Sequence, residues 1–520
     1  MRKTLIISGA ILYFAACATA EDWRARFDTL VKSQAGPQRD SLITGIVSAK
    51  PAWSEVMTEI ESLTFPDTTK GQALEGLTVC IDGVTRPYVI YVPSSYDPKT
   101  PTPMLVFLHG LVSRPNLMPN AREEVEKDTL TALVEKRGWF LLVPLGQAGA
   151  TWWDDVGMTN IMNLIRTAKT NFNIDDDRVY LNGFSDGASA SFLFAMVNPT
   201  DFAAFVPLNG HMGVGSEDGN LPTYATNMAN THLYVTTTDH DRYYPTSMME
   251  RTISMAERAG ADILYRKLKG QHRFSDVEGE YPAIFDYLEQ HPRNSSPDTI
   301  IWETAEAKFG VCDWLAIDEV TIDEPAPWHV DYNVALVDST ISIGFMPDDA
   351  FPGPGVRIAS LSDGDYLARR IDLKPGDIIV RGNGVPTDSI EELDKFKATL
   401  KRGSEVTLTI RRGGNEMVLK GRMPAPRNYL LFKREQPSAL VKATYAENKF
   451  DIQGSRVGAF RIGIDPGMVD LDKNVVVIFD GEKIFDGRIE PDIGYALRDF
   501  MANRDRKMVF VNEIYLRPTK

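Results

Sequence analysis

The stretch Val179-Tyr180-Leu181-Asn182-Gly183-Phe184-Ser185-Asp186-Gly187-Ala188-Ser189 decides how this chain is read. An apolar, β-prone run, Val179 to Leu181, enters a G-x-S-x-G. Small residues follow it: Ala188, Ser189 and Ala190, then Leu193 and Ala195. That order spells strand, tight turn, helix. Glycines on either side of a serine let the backbone turn sharply and let the helix pack close to the strand. The Ser185 hydroxyl is then held out at the top of a sheet, near a helix N-terminus. A bare G-x-S-x-G arises often by chance. The strand before it, the helix after it and suitable partners elsewhere give this one its meaning as a nucleophile.

Around that stretch the pattern alternates. Leu77-Thr78-Val79-Cys80-Ile81 leads through Asp82-Gly83, a hairpin signal, into Tyr88-Val89-Ile90-Tyr91-Val92-Pro93. Met104 to Leu108 reads as a buried strand ending in His109-Gly110, and Trp139 to Pro144 as another, with a helix from Glu123 to Glu135 between them. Ile161 to Ala168 is helical, and Phe205 to Asn209, His232 to Thr236 and Asp262 to Tyr265 are strands. Strands alternating with helices after an opening hairpin predict an α/β fold, a mostly parallel sheet with helices on both faces. Working residues in such sheets sit at the carboxyl ends of strands.

The chain has 520 residues, too many for one core, so two to four domains are expected. It is 43% apolar and 24% charged, as ordinary folded protein is. A net charge of −15 without any basic run argues against a nucleic-acid partner. Residues 1–20 read as an export signal. Arg2 and Lys3 begin it, Leu5 to Ala16 is an apolar core too short to span a bilayer, and Ala18-Thr19-Ala20 is a signal-peptidase site. Phe14-Ala15-Ala16-Cys17 also resembles a bacterial lipobox, with Phe14 a poor fit, and lipidation at Cys17 stays open beside simple cleavage. The expectation is an exported protein, periplasmic or extracellular, with no transmembrane segment. Export permits a disulfide between Cys80 and Cys312. The two lie in different expected domains, so separate buried thiols are the preferred reading.

Residues 21–75 read as a helical N-terminal region. Trp23, Phe27, Leu30 and Val31 recur at helical spacing, as do Val56, Ile60 and Leu63, with breaks at Pro37 and Pro51. The expectation is a cap packed on the next domain, with a lid or substrate-binding arm as the sharper alternative.

Six segments within residues 76–292 carry a family resemblance: RPYVIYVP, MLVFLHG, RVYLNGFSDGAS, FAAFVPLNGH, DHDRYYP and KGQHRF. Together they resemble an α/β-hydrolase of the secreted esterase kind that includes feruloyl and acetylxylan esterases and polyhydroxybutyrate depolymerases. The resemblance implies partners for Ser185 in the order Ser, then Asp or Glu, then His. His272 follows the last strand, where a histidine can reach the serine. His109 and His211 follow earlier strands, His232 begins one, and His291 lies in a late helix. The acid belongs just after the His232–Thr236 strand, where Asp239 and Asp241 both stand. The resembling esterases place it four residues before a proline, and Pro245 favours Asp241.

A tetrahedral intermediate needs two aimed N–H donors. One is expected from the backbone of Asp186, directly after the nucleophile, and the other from Leu111, after His-Gly. An acid at position 186 departs from the more common apolar or amide residue there, although a helix N-terminus tolerates it. Trp152, Trp153, Tyr243 and Tyr244 are candidates to stack on an aromatic acyl group or a sugar, and His211 to line the pocket; core packing is the competing explanation for the aromatics. No cofactor is expected. No metal is expected either, since the Asp239-His240-Asp241 run has no further ligand cluster beside it.

His291-Pro292-Arg293-Asn294-Ser295-Ser296-Pro297 is a linker by composition. Residues 333–424 resemble a PDZ domain, with Ile343, Gly344 and Phe345 in its peptide loop, Val356 and Ile358 on the next strand, and Leu373-Lys374-Pro375-Gly376-Asp377-Ile378-Ile379-Val380 as the most specific mark. Such domains take a C-terminal peptide as an added strand, and many serve instead as spacers or intramolecular props. Residues 298–332 and 427–520 are β-rich, and each looks incomplete alone. One β-sandwich-like domain with the PDZ domain inserted is one reading, and separate units the other. The whole predicts a secreted serine carboxylic-ester hydrolase acting on small, aryl, feruloyl-type or polymeric esters. A serine peptidase on the same fold is one alternative, and a PDZ-mediated binding protein with a vestigial hydrolase is the other.

Overall fold

In the computed structural model, residues 20–338, 341–348 and 350–518 are described. The export signal and Cys17 lie outside them. The largest sheet is built from β1 (Gln72–Val79), β2 (Thr85–Val92), β3 (Thr102–Leu108), β4 (Phe140–Pro144), β5 (Ile174–Phe184), β6 (Ala204–Leu208), β7 (His232–Thr238) and β8 (Asp262–Leu268). Their order is β1-β2-β4-β3-β5-β6-β7-β8. β1 and β2 form an antiparallel hairpin turned at Gly83, and β2 runs antiparallel to β4. From β4 to β8 every neighbouring pair is parallel. The swap of β3 and β4 places β3 directly beside β5. The His109-Gly110 loop therefore emerges next to Ser185, both at carboxyl ends of strands.

Helices cover both faces of the sheet. Asp155–Asn171 and Asp186–Val197 bury their apolar sides in one cluster with Val106, Leu181 and Phe205, while Tyr281–Glu289 packs through Ile284 and Phe285 into a second cluster on the other face. β5 reads apolar at nearly every position because it is covered on both sides, as central parallel strands are.

The three N-terminal helices, Ala20–Lys32, Pro37–Ala49 and Trp53–Glu61, correct the expectation that they cap the domain that follows them. Trp23, Phe27, Leu30, Ile46, Val56 and Ile60 are buried in a core shared with Trp302, Trp314, Phe450 and Phe460, far along the chain. The same core holds the helix Ile493–Asn503. Two sheets face it. One runs through Val311–Cys312, Leu315–Val320, Val457–Ile464 and Asn512–Leu516, and the other through Glu482–Gly487, Val475–Phe479, Lys449–Ser455, Ala439–Ala446 and Thr299–Thr304. Strands from before and after the PDZ segment thus pair directly, Trp302 opposite Val441 and Leu315 opposite Ile462. Cys312 is buried here and Cys80 sits at the β1–β2 turn; both are free thiols.

The PDZ sheet has the order Phe345–Pro347, Val356–Leu361, Ile378–Gly382, Glu405–Arg412, Asn415–Arg422, around a small core of Ile358, Leu367, Ile379, Phe396 and Leu408. Ala335–Asp338, within the expected PDZ span, lies outside that sheet. It pairs with Arg427–Leu430 in a separate two-stranded ribbon. No helix among the described residues is long and apolar enough to cross a membrane.

Candidate active site

Ser185 stands between β5 and the helix Asp186–Val197 with φ 58 and ψ −117, a backbone conformation unusual for any residue but glycine. The glycines around it are required by contact. A Cβ on Gly183 would run into the backbone of Gly187, and one on Gly187 into the carbonyl of Leu108. A Cβ on Gly110 would lie 3.0 Å from that of Ser185. The motif is thus the price in side chains of bringing helix, β5 and β3 loop to one point.

His272 reaches this point from the loop after β8. Its Nε2 is 2.8 Å from Ser185 Oγ and its Nδ1 is 2.7 Å from Asp241 Oδ2. The loop is tied to the end of β7: Thr238 Oγ1 donates to the Gln271 carbonyl, and the His240 N–H to the Gly270 carbonyl. Asp241 is buried and fully engaged. Its Oδ1 accepts the N–H groups of Tyr243 and Tyr244 at 2.8 and 2.9 Å, and its Oδ2 also accepts Asn209 Nδ2 at 3.1 Å. Asp239, the alternative acid, turns to Lys269 at 2.6 Å and to the Gly270 N–H, contacts that hold its carboxyl well below the usual range. Asn209 is a residue that sequence reasoning takes only as the end of a strand. Held at φ 53, it bonds both Thr238 and Asp241, and the Asn-Gly pair after β6 was its only signal.

The expected oxyanion loop takes a specific form. Leu111 lies at φ 57 and is 53% exposed. The next N–H, that of Val112, donates to Asp186 Oδ2 at 2.9 Å, and the Leu111 N–H also favours the Asp186 carboxylate. Burial nevertheless pushes the Asp186 carboxyl up from its ordinary value, against those two N–H groups and the attraction of His272. The side chain at 186, not only its backbone, therefore braces the loop that faces the serine. His109 holds the same loop from behind: burial lowers its pKa, Nδ1 contacts the Gly110 carbonyl, and Nε2 accepts the Gly146 N–H. The neutral tautomer that fits carries its proton on Nδ1.

The two tryptophans are a correction. Trp152 is 1% exposed, its indole N–H bonds the His109 carbonyl, and it packs against Gly146. Trp153 is buried in the same core. Trp152 supports the His109 loop from below and Trp153 packs in the core, so neither offers a stacking face, because the chain between β4 and the next helix folds inward. The other pocket candidates do surround the site. Tyr243 and Tyr244 lie 4.9 and 5.5 Å from the His272 ring, and His211 stacks on Tyr244 at 5.9 Å. The PDZ loop residues sit in their own domain. Ile343 is buried, Gly344 has φ 92 with its Cβ position filled by Tyr366, and Phe345 opens the strand at the sheet edge.

One group of metal-ligand type occurs among the described residues, His232, Asp262 and His291, at the amino ends of β7 and β8, opposite Ser185. His232 and Asp262 pair at 2.6 Å, and His291 Nδ1 meets the Tyr287 carbonyl, contacts that account for the cluster without an ion.

Residues 334–411 match the PDZ domain family. A bifunctional acetylxylan esterase/xylanase of Neocallimastix patriciarum is 29% identical over 143 residues, 27% of this chain; the match spans 20% of that protein's length. Among solved structures, a thermostable esterase overlays with 20% identity, covering 43% of this chain and 64% of its own, at a TM-score of 0.35. A ferulic acid esterase does so with 14% identity, 43% and 99% coverage and a TM-score of 0.35. Scores of that size carry no argument, and the fold rests on the strand order and the serine turn. The chain carries an esterase-like α/β-hydrolase and, at residues 334–411, a PDZ domain.

Proposed function

We propose that this protein is an exported serine ester hydrolase that works through an acyl-enzyme. Ser185 Oγ attacks the ester carbonyl, and His272 Nε2 takes its proton and returns it to the leaving alcohol. Asp241 holds the imidazole by Nδ1 and stabilises its charged form. The N–H group of Asp186 receives the oxyanion, joined by that of Leu111 as the oxyanion draws it from the Asp186 carboxylate. The observation that carries this reading is His272 bridging Ser185 and Asp241 at 2.8 and 2.7 Å. The residue-1 to residue-20 signal supports export, and the acetylxylan esterase relative supports an ester bond. Burial of Trp152 and Trp153 removes an aromatic acyl platform and favours small acyl groups over feruloyl ones.

The test is hydrolysis of p-nitrophenyl esters from acetyl to octanoyl, with Ser185→Ala beside the parent. The expected result is a rate highest for acetyl that falls by about 10³-fold or more in the variant. An amide matched to the best ester separates a peptidase. Turnover of the amide and not the ester would replace this reading, and inertness of a folded parent toward both would leave a binding protein.

A further inference from the structure

A cavity of about 280 Å³ lies where three parts of the chain meet. Val31, Leu63 and Phe65 come from the N-terminal region, Thr170 and Asn171 from the end of the helix Asp155–Asn171, and Phe500 from the helix Ile493–Asn503 of the β domain. Asn171 stands just before the amino end of β5, whereas Ser185 follows its carboxyl end, so cavity and serine lie at opposite ends of the sheet. The lining holds four cations, Lys32, Lys169, Arg504 and Arg506, and no acid.

Three of these charges are answered. Lys169 pairs with Asp176 and Asp505, Arg506 pairs with Asp176, and Lys32 is exposed to water. Arg504 is different. It is 8% exposed, and its Nη1 is buried without a hydrogen-bond partner. No carboxylate among the described residues acts on it. The charge that does is Arg39, a second cation, whose Nε is also buried and unpartnered. Burial and that like charge push the Arg504 guanidinium down to about 10. The C-terminus of the helix before it favours a cation, but a helix end is a partial charge and not a counter-ion. The guanidinium lies over the Phe500 ring at 5.8 Å, and that ring is a wall of the cavity. Buried charges are as a rule paired, and the cavity is where a partner for this one has room.

The rest of the lining says which anion fits. Most of the wall is apolar, from Val31, Leu63, Phe65, Pro66 and Phe500. A bare inorganic ion gains nothing from such walls. A carboxylate matches the guanidinium fork, and an apolar body attached to it covers the walls. The volume falls just below the range of small-molecule sites, about 300–1,000 Å³, which limits that body to one ring or a short chain.

We propose that this cavity binds a small organic acid as its anion, an aryl or short alkyl carboxylate, with the charge on Arg504 and the apolar body against Phe500 and Leu63. The site does not depend on the role of Ser185. Because its walls come from three parts of the chain, occupancy reads as stability. The probe is benzoate, with benzamide as its uncharged counterpart and inorganic phosphate as an anion without an apolar body. The full chain is titrated by calorimetry, and its melting temperature is followed, in a buffer free of carboxylate and phosphate. Benzoate is expected to bind once per chain and to raise the melting temperature, and the two controls to do neither at the same concentration. Arg504→Met is expected to weaken benzoate about tenfold or more. Arg504→Lys keeps a cation without the fork and is expected to weaken it by less. Failure of benzoate to bind the parent overturns the proposal, and so does an equal effect of either control. Benzoate binding that Arg504→Met leaves unchanged belongs elsewhere on the chain and overturns it too. If Arg504→Met does not fold, Arg504→Lys decides, and an unchanged affinity there overturns the proposal.

Discussion

Ser185 holds φ 58 and ψ −117 only because the sheet and the helix after it impose them. Strain of this kind is worth about 1–3 kcal/mol. Glycine adopts such angles freely, so Ser185→Gly is expected to be more stable than Ser185→Ala by about 1 kcal/mol, read from urea midpoints, while both lose activity. Asp186 is the second residue whose role goes beyond its backbone. Its carboxyl is raised by burial, so between the ordinary carboxylate pKa and its own raised value the native state holds more proton than the unfolded chain. Stability from this group is therefore lost as pH rises through that window. Asp186→Asn keeps an acceptor for Val112 without the charge. It is expected to match the parent at low pH and to exceed it in melting temperature at neutral pH. Asp186→Ala leaves the buried Val112 N–H without its acceptor, a cost of about 1–3 kcal/mol, and is expected to lower kcat more than it raises KM.

At the scale of elements, the site is made by loops at the carboxyl ends of β3, β5, β7 and β8. Its precision depends on how closely the helix Asp186–Val197 can approach β3 and β5. Gly187 sets that approach, since a Cβ there meets the Leu108 carbonyl. Gly187→Ala is expected to destabilise by about 1–3 kcal/mol, as overpacking of a tight contact does, and to abolish turnover even where the protein folds. Most of these elements were legible beforehand. β3, β4 and β5 are apolar runs of strand length, and Gly183, Ser185 and Gly187 mark the turn. The choice of Asp241 over Asp239 was not legible from residue type, because both follow β7. It is made by Asn209 and by the Tyr243 and Tyr244 N–H groups, which converge on one carboxylate. Whether Trp152 and Trp153 stack on substrate or pack in the core was open for the same reason: an aromatic in a loop looks alike whether the loop folds inward or outward.

For the whole molecule, the hydrolase is joined to the β domain by a buried ionic network. Lys169 meets Asp176 at 3.0 Å and Asp505 at 3.5 Å, Arg293 meets Asp505 at 2.7 Å and Asp177 at 3.0 Å, and Arg506 meets Asp176 at 2.9 Å. Burial pushes the Asp505 carboxyl up, but Lys169 and Arg293 outweigh it and hold it well below the usual range. A depressed carboxylate contributes stability above its unfolded pKa and loses it as pH falls through the folded value, so the contacts of Asp505 are intact at neutral pH and fail only in strong acid. Asp505→Ala takes one of two carboxylate partners from each of two buried cations, and a loss of about 3 kcal/mol is expected, seen as a separate early transition in thermal unfolding. Asp505→Asn, which removes charge but keeps an acceptor, is expected to cost less.

The sequence by itself determined what depends on local order: the strand-turn-helix at Ser185, the alternation that makes a parallel sheet, the glycine-bracketed PDZ strand at Asp377, and the His272 position after β8. Each is written in residues close together along the chain, where backbone sterics and hydrophobic period act directly. Tertiary structure alone decided what depends on residues far apart. The N-terminal helices share a core with Trp302 and Phe460 and do not cap the hydrolase, because their apolar face has no address written into it. Asp186 meets Val112 across 74 residues, and Arg504 shares a cavity with Leu63 and Asn171 only because three distant parts of the chain pack together there. An apolar stripe or a charge states that a partner is needed; which partner it finds is set by the packing of the whole chain.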